Sequence, residues 1–302
     1  MIGVIILTLD AEKTISSILD KINSDKYNIL IIDSKSNDST LDIVRNYKCN
    51  TKVIDRKDFN HGATREFGRN ILKSDIVVYM TDDAIPVDGN FIDELVKPLL
   101  SGEASASYAR QIPRDGSDIL ESFPREFNYS NKYQVRSLED VDRYGVHTFF
   151  CSNSCAAYLN KDLNEIGGFK PVLTNEDYFA VAELLINGKK VAYVPKSKVY
   201  HSHKYTIKQE FQRYFDTGYV RAERKWIKKY VGKAEIKGAE LTKLLFKKII
   251  YNRPLLLPYA FLQTLAKYFG YKIGYCALSF PDWIKITLSG HKYYWKSKYY
   301  LD

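Results

Sequence analysis

The stretch DIVVYMTDDAIP, residues 75–86, decides the fold of this 302-residue chain. The apolar residues at 76–80 form a continuous run, which is typical of a strand buried on both faces of a parallel sheet. Two carboxylates, Asp82 and Asp83, follow directly. Ligands of such sheets bind at the carboxyl ends of the strands, so the residues just after each strand are the first candidates for a functional site.

Similar apolar runs lie on both sides of this stretch: VIILTL (4–9), NILIID (28–33), TKVID (51–55) and VAYVP (191–195). Helical patterns near residues 62–73, 90–100 and 176–187 alternate with them. The alternation predicts an α/β fold, in which helices cover both faces of a mostly parallel sheet. The middle of the chain is mixed, with strand-like sequences at ASASYARQI (104–112) and GVHTFFCSNSCAAYL (145–159).

Polar side chains follow the first, second and fourth predicted strands. They are Thr8 and Asp10, then Asp33 and Ser34, then Asp82 and Asp83. Carboxylates in an open arrangement suit Mg²⁺ or Mn²⁺, which also neutralise diphosphate oxygens. The alternative for the last pair is a polar strand-to-helix turn, in which Asp88 or a neighbour caps the following helix.

Two further motifs carry groups that are able to act in catalysis or metal binding. In NED (175–177), Asp177 either complements the dipole of the helix that it opens or serves as a general base. In YHSH (200–203), His201 and His203 stand two residues apart after a strand, so they point the same way and offer nitrogen ligands.

Two arginines, and the absence of two common nucleotide-binding motifs, indicate which ligands the protein binds. Arg65 in FNHGATR (59–65) is placed to meet a phosphate near a helix N-terminus, and Arg110 in RQIPR (110–114) is a second candidate; ordinary exposed arginines are the alternative. Neither GxxxxGK[ST] nor GxGxxG occurs. Their absence argues against a P-loop NTPase and against ordinary dinucleotide binding.

The charge of the chain, +9 in total, is unevenly distributed. Residues 1–203 hold 25 basic and 29 acidic side chains, whereas residues 204–302 hold 20 basic and 7 acidic ones together with 22 of the 42 aromatic residues. We therefore expect a body at 1–203 and a basic, aromatic, helical C-terminal region at 204–302, with breaks near Gly232, Pro254, Pro258 and Pro281.

Three interpretations of the C-terminal region compete. It is a solvated helical subdomain, a surface for anionic membranes, or a binder of single-stranded nucleic acid. Without an RNP, KH or zinc-finger pattern we expect no nucleic acid partner. The four cysteines form no CxxC pair, no signal sequence is evident, and no apolar run approaches 18 residues, so we expect a cytoplasmic protein that does not span the membrane.

The motifs together resemble a known family. IILTLDAE (5–12), IIDSKSNDST (31–40), the strand ending in TDDA and the NED motif resemble the inverting nucleotide-diphospho-sugar glycosyltransferases of the Rossmann-like GT-A fold. More narrowly, the chain resembles bacterial rhamnosyltransferases that build surface polysaccharide. The matching stretches are FNHGATR, YARQIPR, FNYS, SNSCAAY, IGGF, NEDYF, VYHSHKYT, GYKIGY, FPDWIKI and LSGHKYYW.

The resemblance implies roles for individual residues. Thr8, Asp33 and Ser34 would surround the nucleotide, and Asp83 would be the metal-binding carboxylate of a DxD-like motif in which Thr81 replaces the first Asp and Asp82 is the middle residue. His201 or His203 would complete the site for Mg²⁺ or Mn²⁺. Asp177 would be the base. Asp10, Arg65 and Arg110 are further candidates for contact with the nucleotide sugar.

The resulting expectation is an inverting glycosyltransferase at the inner face of the plasma membrane. It would move a sugar, L-rhamnose from dTDP-rhamnose, onto a lipid-linked or growing saccharide. The alternatives are the same chemistry with a UDP- or GDP-sugar, and a non-catalytic basic adaptor that binds membrane or nucleic acid through a degenerate transferase body.

Overall fold

The computed structural model describes residues 1–230 and 235–301, so the break predicted near Gly232 lies outside the described residues. The strands are β1 Ile2–Thr8, β2 Asn28–Asp33, β3 Asn50–Val53, β4 Ile76–Thr81, β5 Ile85–Pro86, β6 Ala106–Ile112, β7 Gln134–Arg136, β8 Cys155–Leu159 and β9 Val191–Tyr200. The helices are α1 Ile15–Leu19, α2 Thr40–Val44, α3 His61–Leu72, α4 Phe91–Leu100, α5 Ile119–Asn128, α6 Val141–Tyr144, α7 Asn160–Glu165, α8 Glu176–Ile186, α9 Ile207–Glu223, α10 Glu235–Asn252, α11 Leu257–Cys276, α12 Asp282–Leu288 and α13 Lys298–Leu301.

The strands described form one nine-stranded mixed sheet in the order β3-β2-β1-β4-β8-β6-β9-β5, with β7 paired to β9. Pairing is parallel from β3 through β2 and β1 to β4, and again between β6 and β9. Strand β8 runs antiparallel to both β4 and β6. The mostly parallel α/β sheet that the sequence predicts is therefore confirmed, and the ends of β1, β2 and β4 meet at one edge.

Alternate residues of the central strands pack into two hydrophobic cores, one on each face of the sheet. Ile5 and Tyr79 contribute to the first core and Ile6 and Met80 to the second. This alternation follows from the pleat, because successive side chains of a strand point to opposite faces. Helix α8 covers the first face and helix α4 the second.

The structure corrects the sequence prediction at two places. Residues 145–149 were expected to be strand-like but form a 3₁₀ helix that begins at Gly145, whose φ is 55°. The Arg136 guanidinium donates hydrogen bonds to the carbonyl oxygens of His147 and Phe150, which keeps this segment out of the sheet. Strand β9 also continues past Pro195; the pairing with β6 skips from Val194 to Lys198, which accommodates a proline without an amide hydrogen.

The C-terminal region is helical, as predicted, and packs onto the body. Phe215, Val220 and Trp295 belong to the same hydrophobic core as Ile5 of β1. Helices α9 and α11 lie so close that a Cβ atom on Gly274 would be 2.0 Å from the Phe215 carbonyl oxygen. Among the helices in the described ranges, none is long and apolar enough to cross a bilayer.

Candidate functional site

The ends of β1 and β2 are joined by hydrogen bonds to Asp33. Thr8 Oγ1 donates to Asp33 Oδ2 over 2.8 Å, and the backbone N–H and the hydroxyl of Ser36 donate to the same carboxylate over 2.8 and 2.6 Å. Asp33 is fully buried. Its carboxylate is therefore engaged in holding the loop after β2, while the neighbouring Ser34 faces a cavity.

That cavity, which we call the strand-end cavity, has a volume of about 320 Å³. The sequence-predicted residues Thr8, Ser34 and Asp82 line it. Ser34 Oγ is buried and has no hydrogen-bond partner within the described part of the chain, so it is available to a ligand. The remaining lining residues are Leu7, Leu9, Arg56, Phe59, Asn60, His61, Thr81, Leu173, Gly290, His291, Tyr293 and Tyr294.

Asp10 is not among the residues that line this cavity, although its partner Arg56 is. Its carboxylate accepts a hydrogen bond from the Asn37 N–H over 2.8 Å and pairs with Arg56 over 2.8 Å. The residue has a φ of 52°, in the left-handed region that few non-glycine residues adopt. Asp10 thus fixes the loop after β1 and holds Arg56 against the cavity.

The two carboxylates after β4 face different spaces. Asp82 lines the strand-end cavity and accepts a hydrogen bond from the Leu9 N–H over 2.9 Å. Burial, with a smaller contribution from the adjacent negative charge of Asp83, raises the pKa of Asp82 to about 6. Asp83 instead lines a second cavity of about 560 Å³, which we call the polar cleft.

Within the polar cleft, Asp83, His201 and His203 form a group whose ligand atoms all lie within 4.8 Å of one another. His203 Nε2 is 2.9 Å from Asp83 Oδ2 and 3.0 Å from His201 Nε2, and His201 Nε2 is 3.4 Å from Asp83 Oδ1. One oxygen and two nitrogen ligands converging in this way can hold one divalent cation. The structure thus brings both predicted histidines to Asp83.

Neighbouring residues hold the ligands in place. Gln111 Oε1 lies 3.0 Å from His201 Nδ1; with the proton on Nδ1, the lone pair of Nε2 is directed at the cation site. Burial lowers the pKa of His201 and favours the neutral imidazole that a metal needs. Thr81 Oγ1 donates to Asp83 Oδ1 over 2.6 Å, so the threonine holds the carboxylate of Asp83 in position. These residues fit a bound divalent cation.

Asp177 lies in the same cleft, in the first turn of α8. The Asn153 N–H donates to Asp177 Oδ2 over 3.0 Å, and the Tyr178 N–H donates to Oδ1 over 2.7 Å. Asn175, the N-cap residue, has a φ of 62°. Strained backbone of this kind clusters at functional sites, where surrounding contacts maintain it.

The neighbour Glu176 has a different environment. It is buried and forms an ion pair with Arg65 and a hydrogen bond with Asn153 Nδ2 over 3.3 Å. Arg65 lowers the pKa of Glu176 against the opposing effect of burial, whereas burial and the charge of Glu176 raise the pKa of Asp177 to about 7. The pKa values of these adjacent carboxyl groups thus move in opposite directions: Glu176 is held as an anion, and Asp177 can exchange a proton near neutral pH.

The two predicted arginines are placed differently. Arg65 lines the polar cleft, where its guanidinium is paired with Glu176. Arg110 donates a hydrogen bond to the Asn131 side chain, and it is the next residue, Gln111, that faces the cleft. Arg110 is therefore not brought together with the other candidate site residues.

Several lining residues were not found from the sequence. Arg125 reaches the cleft from α5 and donates to the His201 carbonyl oxygen over 3.1 Å, while Arg221 of α9 stacks 3.5 Å above the Tyr178 ring. His291 and Tyr293 close the strand-end cavity from the C-terminal region. For Arg125, His291 and Tyr293 the only signal was their place in or close beside the motifs FNYS and LSGHKYYW, and Arg221 lies in none of the quoted motifs.

Comparison with known proteins identifies the family of the chain. Residues 4–167 match the family described as Glycosyl transferase family 2. The chain is 37% identical, over 306 residues, to the O-antigen chain rhamnosyltransferase RfbN of Salmonella typhimurium, covering 99% of this chain and 97% of that protein. It is also 37% identical to the O-antigen chain rhamnosyltransferase WbaN of Salmonella anatum, covering 90% and 87% of the two chains.

Solved structures share the fold at low sequence identity. The mannosyltransferase PcManGT from Pyrobaculum calidifontis, in complex with GDP-Man and Mn²⁺, covers 93% of this chain and 75% of its own, with 17% identity and a TM-score of 0.54. S. aureus TarS, residues 1–349, covers 91% and 90%, with 11% identity and a TM-score of 0.52. The chain belongs to glycosyl transferase family 2, as a glycosyltransferase with the GT-A fold.

Proposed function

We propose that the protein transfers L-rhamnose from dTDP-rhamnose to a saccharide, with inversion at the anomeric carbon, during the synthesis of a surface polysaccharide. The carrying observation is that the carboxylate of Asp177 lies in a single cleft with the Asp83, His201 and His203 group. The names of the two Salmonella relatives support rhamnose as the sugar.

In this proposal the two cavities bind different substrates. The strand-end cavity holds the nucleoside, with Thr8, Ser34 and Asp82 in its wall. Asp83, His201 and His203 would hold Mg²⁺ or Mn²⁺, which supplies positive charge to the departing nucleoside diphosphate. The acceptor lies in the polar cleft, with its hydroxyl at Asp177.

In the transfer step the acceptor oxygen forms a bond to the anomeric carbon as the bond from that carbon to the diphosphate oxygen breaks. The bonding electrons leave with the nucleoside diphosphate, and Asp177 accepts the hydroxyl proton. Glu176 is engaged by Arg65 and Asn153, so it is not free to act as a nucleophile. One displacement by the acceptor inverts the anomeric configuration, whereas retention requires a second, covalent displacement.

The same proposal extends to partners and location. We expect a lipid-linked or growing saccharide as acceptor and an anionic membrane, at the inner face of the plasma membrane, as the place of reaction. The support for the membrane is the charge of residues 204–302, which we treat as the acceptor-side region.

A donor panel tests the function. Purified protein is incubated with dTDP-rhamnose, UDP-sugars or GDP-sugars and a saccharide acceptor, with Mn²⁺ or with a chelator, and the product linkage is read by NMR. We expect transfer from dTDP-rhamnose that needs the divalent ion and inverts the linkage. Transfer from a UDP- or GDP-sugar instead would replace the donor assignment, and a retained configuration would refute the role of Asp177.

A further inference from the structure

The buried residues of helix α11 are small or polar, and about half of its large apolar residues are exposed, while Leu257 and Ile273 pack partly against the cores. The buried residues of this helix are Ala260, Gln263, Gly270 and Gly274. The large exposed apolar residues are Tyr259, Phe261, Leu262, Tyr268 and Phe269. A helix on the surface of a globular protein ordinarily has the reverse arrangement. The outer side of α11 is therefore built for apolar surroundings.

The turn between α10 and α11 extends this surface. Leu255 in that turn is 96% exposed, and Ile250 and Tyr251 at the end of α10 are also exposed. We call Ile250, Tyr251, Leu255, Phe261, Leu262 and Phe269 the outer apolar face. Exposed apolar clusters of this kind mark protein or membrane interaction sites.

Charge decides which partner fits this face. Exposed Lys247 and Arg253 lie beside it, and Lys272 Nζ is 5.7 Å from the centre of the Tyr268 ring. The whole C-terminal region holds 20 basic and 7 acidic side chains. A second copy of the chain would bring the same positive charge to the contact, whereas anionic lipid headgroups complement it. Aromatic and basic side chains together are also typical of helices that lie in a bilayer interface.

The inner side of the helices that carry the outer apolar face adjoins the polar cleft. Gln263 Nε2 of α11 donates to the Tyr205 carbonyl oxygen over 3.3 Å, and Tyr205 lines the cleft two residues after His203. Ile249 of α10 packs in one cluster with Phe123 of α5, the helix whose Arg125 lines the cleft. The hairpin of α10 and α11 thus stands directly beside the cleft.

We propose that the outer apolar face docks the enzyme on an anionic bilayer, with the α10–α11 hairpin lying in the headgroup region. Helices of this type bury their apolar side about 5–10 Å into that boundary. The twenty residues of α11 extend over about 30 Å along the surface. Docking in this position leaves only the thickness of the hairpin, about 10 Å, between the polar cleft and the membrane, which is within reach of a saccharide on a lipid carrier. This use of the surface rests on the lipid-linked acceptor proposed above.

Vesicle cosedimentation tests the docking surface. The variant is Phe261→Ser with Leu262→Ser, at positions 53% and 51% exposed. The control is Leu100→Ser at the end of α4, where the leucine is 67% exposed. With vesicles of equal phosphatidylcholine and phosphatidylglycerol, we expect the wild type and the control to bind alike. The double variant should bind at least about 10-fold more weakly, because two large apolar side chains no longer enter the interface.

Other outcomes separate this proposal from its rivals. Unchanged binding by the double variant, or no binding by the wild type to these vesicles, overturns it. So does a wild-type dimer in sedimentation velocity that the double variant dissociates, because the face would then join two copies. Circular dichroism of the double variant checks the fold. If the wild type binds vesicles but transfers no rhamnose to a soluble saccharide, the docking surface stands and the proposed function fails.

Discussion

Replacing Asp177 by asparagine tests the proposed base directly. Asparagine has nearly the same shape but cannot accept the proton of the acceptor hydroxyl. Loss of a positioned general base costs about 10²–10⁴-fold in rate, so turnover should fall by at least about 10². Asp177 is neither in the wall of the strand-end cavity nor one of the proposed cation ligands Asp83, His201 and His203, so the affinity for the nucleoside diphosphate should remain unchanged.

The raised pKa of Asp177, about 7, gives a second expectation for the same residue. The base acts in its ionised form, so wild-type turnover should rise with pH and level off above 7. Only about a tenth of the molecules are ionised one pH unit below the pKa and about a hundredth two units below, so turnover should fall about tenfold per unit there. The residual activity of Asp177→Asn should lack this dependence.

The assay measures sugar transfer between pH 5 and 9 at saturating donor, with calorimetry for nucleotide binding. Asp42→Asn is the matched control, because Asp42 is an exposed aspartate on α2, paired with Arg45 in solvent. It should match the wild type at every pH. An Asp177→Asn enzyme that keeps more than about a tenth of wild-type turnover, or a wild-type profile that is flat through pH 7, would refute the role of Asp177.

Three further predictions concern the cation, the donor and the packing. Asp83→Ala should abolish the increase in nucleoside diphosphate affinity that Mn²⁺ gives in calorimetry; equal affinity with and without the ion in the wild type would contradict the cation site. Tyr293→Ala should weaken nucleotide binding by about tenfold and Tyr293→Phe much less, because the ring closes the strand-end cavity; equal dissociation constants would exclude this contact. Gly274→Ala should lower the free energy of unfolding by about 1–3 kcal/mol, because its Cβ would meet the Phe215 carbonyl oxygen, whereas Gly89→Ala, whose nearest such contact is 3.6 Å, should not.

The strands and helices of the body were accessible from sequence because their patterns are local. The apolar run at 76–80 and the alternation with helices predicted the sheet, whereas the pairing of Asp83 with a histidine 118 or 120 positions further on was implied only by the family resemblance. The segment at 145–149 was not accessible. Its backbone is held by the Arg136 guanidinium, and no periodicity in the segment itself reports that contact.

In the candidate site, too, residues set by local sequence were predictable and residues set by tertiary contacts were not. Residues at strand ends were predicted from their position in the sequence. Arg110 and Gln111, however, are neighbours on β6, and the sequence does not show which of them faces the cleft. That depends on the shift in β6–β9 pairing at Ala109 and Arg110. The position of His291 in the wall of the strand-end cavity is a second feature that the sequence does not predict. Asp216 of α9 fixes it, with Oδ2 3.0 Å from His291 Nδ1, and such a tertiary contact leaves no trace in the local sequence.

The strand-end cavity combines a residue of the first strand, Thr8, with residues 290–294. During synthesis the sheet and its cation ligands emerge from the ribosome long before the last wall of this cavity. A chain that stops before Gly290 would possess Asp83, His201, His203 and Asp177, yet it would lack one wall of the cavity that we propose for the donor nucleoside. Under the proposed function, unfinished or C-terminally clipped chains would therefore bind the nucleotide sugar weakly even though their cation ligands are in place.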